Sequence, residues 1–189
     1  MHAALVTALL VAASEFGDKT QLLALFLASR FARPVPIILG MLTATVANHL
    51  LAGLLGALAA AALDPRWLRW GLAAAFLGMA LWMLIPDRAD AARMARGAAG
   101  SAYVATVASF FLAEMGDKTQ LATVALAARF NTVLPVVAGS TLGMLAVDIP
   151  TVLFGGYAAG RIDPRWTRFA AAALFALFGA LALLGIAWF

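Results

Sequence analysis

Two stretches of this chain set charged side chains in the middle of long apolar runs. The first reads Glu15-Phe16-Gly17-Asp18-Lys19-Thr20-Gln21; the second, beginning 99 positions later, reads Glu114-Met115-Gly116-Asp117-Lys118-Thr119-Gln120. Runs of this apolarity and length suit a bilayer, where the backbone has to satisfy its own hydrogen bonds and is therefore helical. Charges at that depth are costly, and the residues that persist there usually bind or relay ions.

Composition supports the membrane reading. Of 189 residues, 65% are hydrophobic and 12% charged, whereas soluble domains carry about 25% charged residues. The formal charge of +4 is spread over arginines in short connections, so no continuous basic face exists to follow a nucleic acid backbone. With no cysteine, disulfides and thiolate metal sites are excluded and hard oxygen donors remain.

The pattern predicts an all-α membrane protein of six spans: about Ala3 to Ser29, Pro34 to Leu63, Trp67 to Ile85, Ala102 to Ala128, Val133 to Ala159 and Trp166 to Trp188. Arg30, Arg33, Pro34 and Pro36 separate the first two, and an Asp-Pro-Arg-Trp turn precedes both the third and the sixth. The apolar lead-in before Glu15 has a counterpart before Glu114, where no signal peptide could stand, so it is expected to be a span and not a cleaved leader. Trp67, Trp70 and Trp82 mark the ends of the third span, where an aromatic belt would sit.

Aligning residues 15–70 with 114–169 without gaps gives 23 identities in 56 positions, which is an internal duplication. The expected organisation is a first three-helix repeat at 1–86, a cytoplasmic linker at 87–101 and a second repeat at 102–189. An odd number of spans per half and a polar linker that does not cross require the halves to be inverted, an architecture in which transporters place the ion site near the midplane. Eight arginines (Arg30, Arg33, Arg88, Arg93, Arg96, Arg161, Arg165, Arg168) fall on the linker's side against three (Arg66, Arg69, Arg129) on the other. That asymmetry puts the linker in the cytoplasm and both termini outside.

Glu15 and Asp18, three positions apart, are expected on neighbouring parts of one helical face, with Glu114 and Asp117 facing them from the other repeat. These four carboxylates are the candidate metal ligands. Thr20, Gln21, Thr119 and Gln120 add neutral oxygens, and Gly17 and Gly116 offer either close helix approach or a local break. Lys19 and Lys118 would balance charge, or pair with Glu15 and Glu114 four residues away along the same helix. The set suits a hard divalent cation. Four carboxylates and two lysines sum to minus two, so one divalent ion neutralises the site, and protons would compete for the same oxygens. Asp148 is a further supporting carboxylate, opposite His49 in the repeat alignment. His49 is a candidate proton site and Asn48 stands beside it, although a lone His or Asn in a membrane helix is more often an interhelical hydrogen-bond partner.

On these residues the chain resembles the GDT family of calcium and manganese cation exchangers. The family pattern Glu-x-Gly-Asp-(Lys/Arg)-(Thr/Ser) is matched by Glu15 to Thr20 and by Glu114 to Thr119. The resemblance implies six spans in inverted halves, Mn2+ or Ca2+ bound by the motif acids as transported substrate, and exchange for protons, with no cofactor. The long acidic central loop and leading segment of some eukaryotic members have no counterpart, which favours the inner membrane of a bacterium. The expected partners are a divalent ion, protons and lipid. A cation channel or uniporter using the same acids as a selectivity site is the alternative, though a ring of identical subunits suits a channel better. An enzyme is not expected, because the sequence offers two histidines and no HExxH-type motif.

Overall fold

The computed structural model describes residues 2–85, 100–155 and 164–186, and every regular element among them is a helix. Nearly all of the expected linker, the end of the fifth expected span and the last residues of the sixth lie outside the described residues. The elements are α1 (His2–Glu15), α2 (Lys19–Phe31), α3 (Pro34–Ala62), α4 (Pro65–Met83), α5 (Ala102–Glu114), α6 (Lys118–Phe130), α7 (Leu134–Phe154) and α8 (Pro164–Leu184).

Local chemistry explains where these helices begin. Asp64 accepts a hydrogen bond from the Arg66 N–H at 2.8 Å with Pro65 next to it, and Ser101 accepts from the Val104 N–H at 3.4 Å, so both satisfy orphan donors of a first turn. Prolines also stand in the first turns of α3 and α7. Pro150 lies inside α7 without ending it, and its missing N–H interrupts the ladder there.

The structure corrects the sequence reading at the two motifs. The first and fourth expected spans are not continuous helices: each breaks between the motif Glu and the motif Asp. Gly17 and Gly116 have φ of 77° and 76°, a left-handed conformation that a helix does not contain and that favours glycine. A Cβ on Gly116 would meet nothing within 4 Å, so the demand there is for conformation and not for room. In each break the Asp N–H returns to the Glu carbonyl at 3.1 Å, which turns the chain tightly and starts the next helix at the lysine.

Helix directions follow from neighbouring residues. Gly139 abuts Ala4, Gly143 abuts Ala8 and Ala12, and Gln21 bonds to Thr151. Hence α1 and α2 run successively along α7 in its own direction, as two halves of one broken helix. In the other half Gly40 abuts Tyr103 and Thr106, while Asn48 bonds both Phe111 and Gln120. So α5 and α6 run along α3 in the same way. The repeat-equivalent helices α3 and α7 cross antiparallel, with Thr45 on Met144 and Gly53 against Val133 and Val137. The equivalent pair α4 and α8 is also antiparallel, with Arg69 near Gly185 and Leu77 near Gly179, and it is joined by Phe76 stacking on Phe175 at 6.4 Å. Each half thus packs its broken helix on the long helix of the other half.

Apolar side chains cover the outside. Leu5, Leu9, Leu58, Leu81, Leu134, Leu142 and Phe154 are exposed, whereas Thr7, Ser14, Thr45, Asn48, Thr106 and Ser140 are buried. This inverts the soluble pattern and matches lipid outside and polar contacts within. By length and composition α3, α7 and Arg165–Leu184 are apolar enough to cross a membrane, and α1 and α5 are shorter apolar helices. Laid end to end, the 14 residues of α1 and 13 of α2 reach about 40 Å at the usual rise, which exceeds a ~30 Å hydrocarbon core.

Candidate metal site

Because both breaks occur between Glu and Asp, each motif presents its acids from two helix ends and not from one face. Glu15 closes α1 and Asp18 is the N-cap of α2; Glu114 closes α5 and Asp117 is the N-cap of α6. The positive ends of α2 and α6 therefore point at the aspartates. Glu15, Glu114 and Asp117 each offer a carboxylate oxygen, and these three atoms lie within 4.8 Å of one another, all buried. Of the four expected ligands, three from both motifs come together. Asp18 is buried nearby but does not belong to that group.

Each glutamate is divided between two tasks. Glu15 Oε2 accepts a hydrogen bond from the Thr20 hydroxyl at 2.7 Å and Glu114 Oε2 from the Thr119 hydroxyl at 3.3 Å. The other oxygen of each, Oε1, is buried and reached by no hydrogen-bond donor. A buried carboxylate oxygen in that condition is costly unless something positive meets it. Asp117 Oδ2 is held by the Thr119 N–H at 3.4 Å and hydroxyl at 3.2 Å. The threonine hydroxyls thus orient the acids.

The lysines do not form the expected pairs along one helix. Lys19 bonds Asp117, and Lys118 lies 3.9 Å from Asp18. Each motif's lysine crosses to the other motif's aspartate. This exchange ties the two breaks together at the charged level.

Gln21 and Gln120 also serve the breaks. Their Oε1 atoms accept from the Gly17 and Gly116 N–H groups at 3.0 and 2.7 Å, donors that the interrupted helices leave orphaned. Their amides reach the long helix of the opposite half: Gln21 donates to the Thr151 hydroxyl at 3.1 Å and Gln120 to Asn48 Oδ1 at 3.4 Å. Asn48 also donates to the Phe111 carbonyl at 3.0 Å, so it spans the second break. Thr151 escaped the sequence reading; its signal was a hydroxyl three positions after Asp148 where the first repeat has Ala52.

Asp148 on α7 and His49 on α3 are fully buried, and neither carboxylate oxygen nor either ring nitrogen has a hydrogen-bond partner. Along α7, Asp148 falls between Gly143, which abuts Ala8 and Ala12, and Thr151, which accepts from Gln21, so it faces the stretch where α1 ends at Glu15.

With the site in view, the family assignment rests on comparison. The family described as "Divalent cation/proton antiporter GDT1" matches residues 3–91 and 102–187, one segment around each motif. The chain belongs to this GDT1 family. A "Putative manganese exporter" of Vibrio cholerae is 46% identical over 170 residues, covering 88% of this chain and 83% of that protein. A GDT1-like protein of Synechocystis is 31% identical over 192 residues, covering 90% and 91%. No solved structure matches. GDT1 is a family of transporters and not of enzymes, and for this GDT1 member the reading of cation transport across a membrane stands.

Proposed function

We propose that the chain is a secondary transporter that exports Mn2+, with Ca2+ as a second cargo, in exchange for H+ across a bacterial inner membrane. One observation carries the reading: Glu15, Glu114 and Asp117, from both motifs, each bring a carboxylate oxygen into a 4.8 Å group, and both glutamates keep a buried oxygen that no donor reaches. A divalent ion is the partner that the two glutamate oxygens lack, and an all-oxygen set suits manganese and calcium. The name of the Vibrio cholerae relative favours manganese.

The charge balance supplies the coupling. Glu15, Asp18, Glu114 and Asp117 with Lys19 and Lys118 sum to minus two when all are ionised, and one divalent ion restores neutrality. Without it, protons are the other way to neutralise the same oxygens in a medium that tolerates uncompensated charge poorly. Binding of one cargo therefore displaces the other.

Two inverted three-helix halves, 1–86 and 102–189, would give this site access to either side by rocking about the α3–α7 crossing. The antiparallel course of α3 against α7 and of α4 against α8 supports that arrangement. We place residues 87–101 in the cytoplasm and both termini outside on the arginine asymmetry, and Glu15, Asp18, Glu114 and Asp117 at the cargo path. Asp18, which lies 3.9 Å from Lys118 of the other motif, would join as the halves rock.

Reconstitution in proteoliposomes tests this. Mn2+ uptake should follow an imposed proton gradient, with outward proton flow driving Mn2+ in. Uptake indifferent to the gradient and driven by membrane voltage alone would instead assign a channel or uniporter.

A further inference from the structure

Among the described residues, two buried carboxylates stand outside the three-oxygen group, Asp18, which lies near Lys118, and Asp148. We propose that Asp148 and the free Oε1 of Glu15 form a second cation station beside that group, present in one half of the molecule only. The proposal rests on the transport reading above and deepens it.

Register places the residue. Along α7, Gly143 abuts Ala8 and Ala12, and Thr151 accepts from Gln21. Asp148 lies between those two contacts, opposite the stretch where α1 ends at Glu15 and the chain breaks. Both its oxygens are buried and meet no donor, and Glu15 Oε1 is in the same condition. A structural aspartate in a helix bundle is normally kept by an interhelical hydrogen bond, and here none reaches it. The register sets it beside the Glu15 end of α1, yet it stands outside the group whose oxygens lie within 4.8 Å. It is therefore adjacent to the first position and not a fourth ligand of it. An ion shifting between the two would keep Glu15 throughout.

The repeat-equivalent residue shows that the station is one-sided. His49 occupies the corresponding place on α3, beside Asn48, which spans the other break. An uncharged imidazole does not draw a hard dication from a distance as a carboxylate does. With the topology proposed above, α7 runs toward the cytoplasm and Asp148 lies past its crossing with α3 at Met144. The acid then stands on the side from which an exporter loads, and the histidine on the side where it releases.

The test uses the full chain in membrane vesicles, with Mn2+ flux measured from each face. Asp148→Asn should raise the half-saturating Mn2+ concentration about tenfold from one face, the lower end of the roughly 10–100-fold losses seen for groups beside a metal position, and change it far less from the other. Asp148→Glu should recover most of the affinity, and Asp148→Ser, a second neutral variant, should behave as Asn does. Half-saturation within about twofold of wild type from both faces, or an equal rise from both, would overturn the station. Asp117→Asn measured alongside separates the two readings. If it abolishes flux while Asp148→Asn does nothing, the second station alone is wrong; if Asp117→Asn transports normally, the three-carboxylate site is wrong as well. Which face shows the effect reports the topology independently.

Discussion

At Asp117 two demands meet: one oxygen joins the glutamates, and the side chain is also held by Lys19 and Thr119. Its repeat equivalent, Asp18, lies outside the close group. Asp117→Asn should therefore lower Mn2+ affinity well beyond tenfold, a loss typical of a charged ligand held by its surroundings, while Asp18→Asn costs less. Mn2+ titration of the purified variants checks this, and equal losses would contradict the unequal placement. The identity of the acids was legible in the sequence because charges inside apolar runs, twice in one pattern, have few explanations. The partners of Lys19 and Lys118 were not legible. They depend on contacts 98 and 100 residues apart across the repeat interface, and helical spacing argued for the wrong ones.

At the scale of elements, the break is what the sequence reading left open. The glycine in each motif allowed either close approach or interruption, and an apolar run favours a continuous helix unless something opposes it. The opposing factor is the pairing of a left-handed glycine with a glutamine four residues later that satisfies its N–H. Gly116→Ala should destabilise the fold by about 1–2 kcal/mol, the usual cost of a left-handed non-glycine residue, although the space around it is open. Gly116→Asn should cost less, since the short polar side chain of asparagine bonds locally and tolerates the left-handed region better than alanine. Thermal unfolding in detergent gives both values; a neutral Gly116→Ala would mean that the break does not need that conformation. Gly143 has the opposite character, because a Cβ there runs into the Ala8 carbonyl. Gly143→Val should push α1 from α7 and cost about 1–3 kcal/mol or more by overpacking, with transport falling as the Glu15 end of α1 moves. Unchanged stability would refute the close approach.

For the whole molecule, the duplication and the charge asymmetry were legible from counting, and they lead to a topological prediction. A cysteine placed at Ala98, in a chain with no other thiols, should react with impermeant reagents only after the cytoplasmic face is opened. Labelling in intact cells would reverse the orientation. The interlocking of the halves, each broken helix lying on the other half's long helix, was beyond sequence patterning, since it depends on small residues such as Gly40 and Gly139 that pack against the opposite half. That interlock brings acids from both motifs to one place, and the central claim is that metal and protons compete there. Titrating Mn2+ into the purified protein by calorimetry, in buffers of different ionisation enthalpy, counts the protons released on binding. At least one proton should leave per metal bound, and affinity should weaken as pH falls, because protons then hold the oxygens that the metal requires. A proton count of zero with affinity constant across pH would contradict the account.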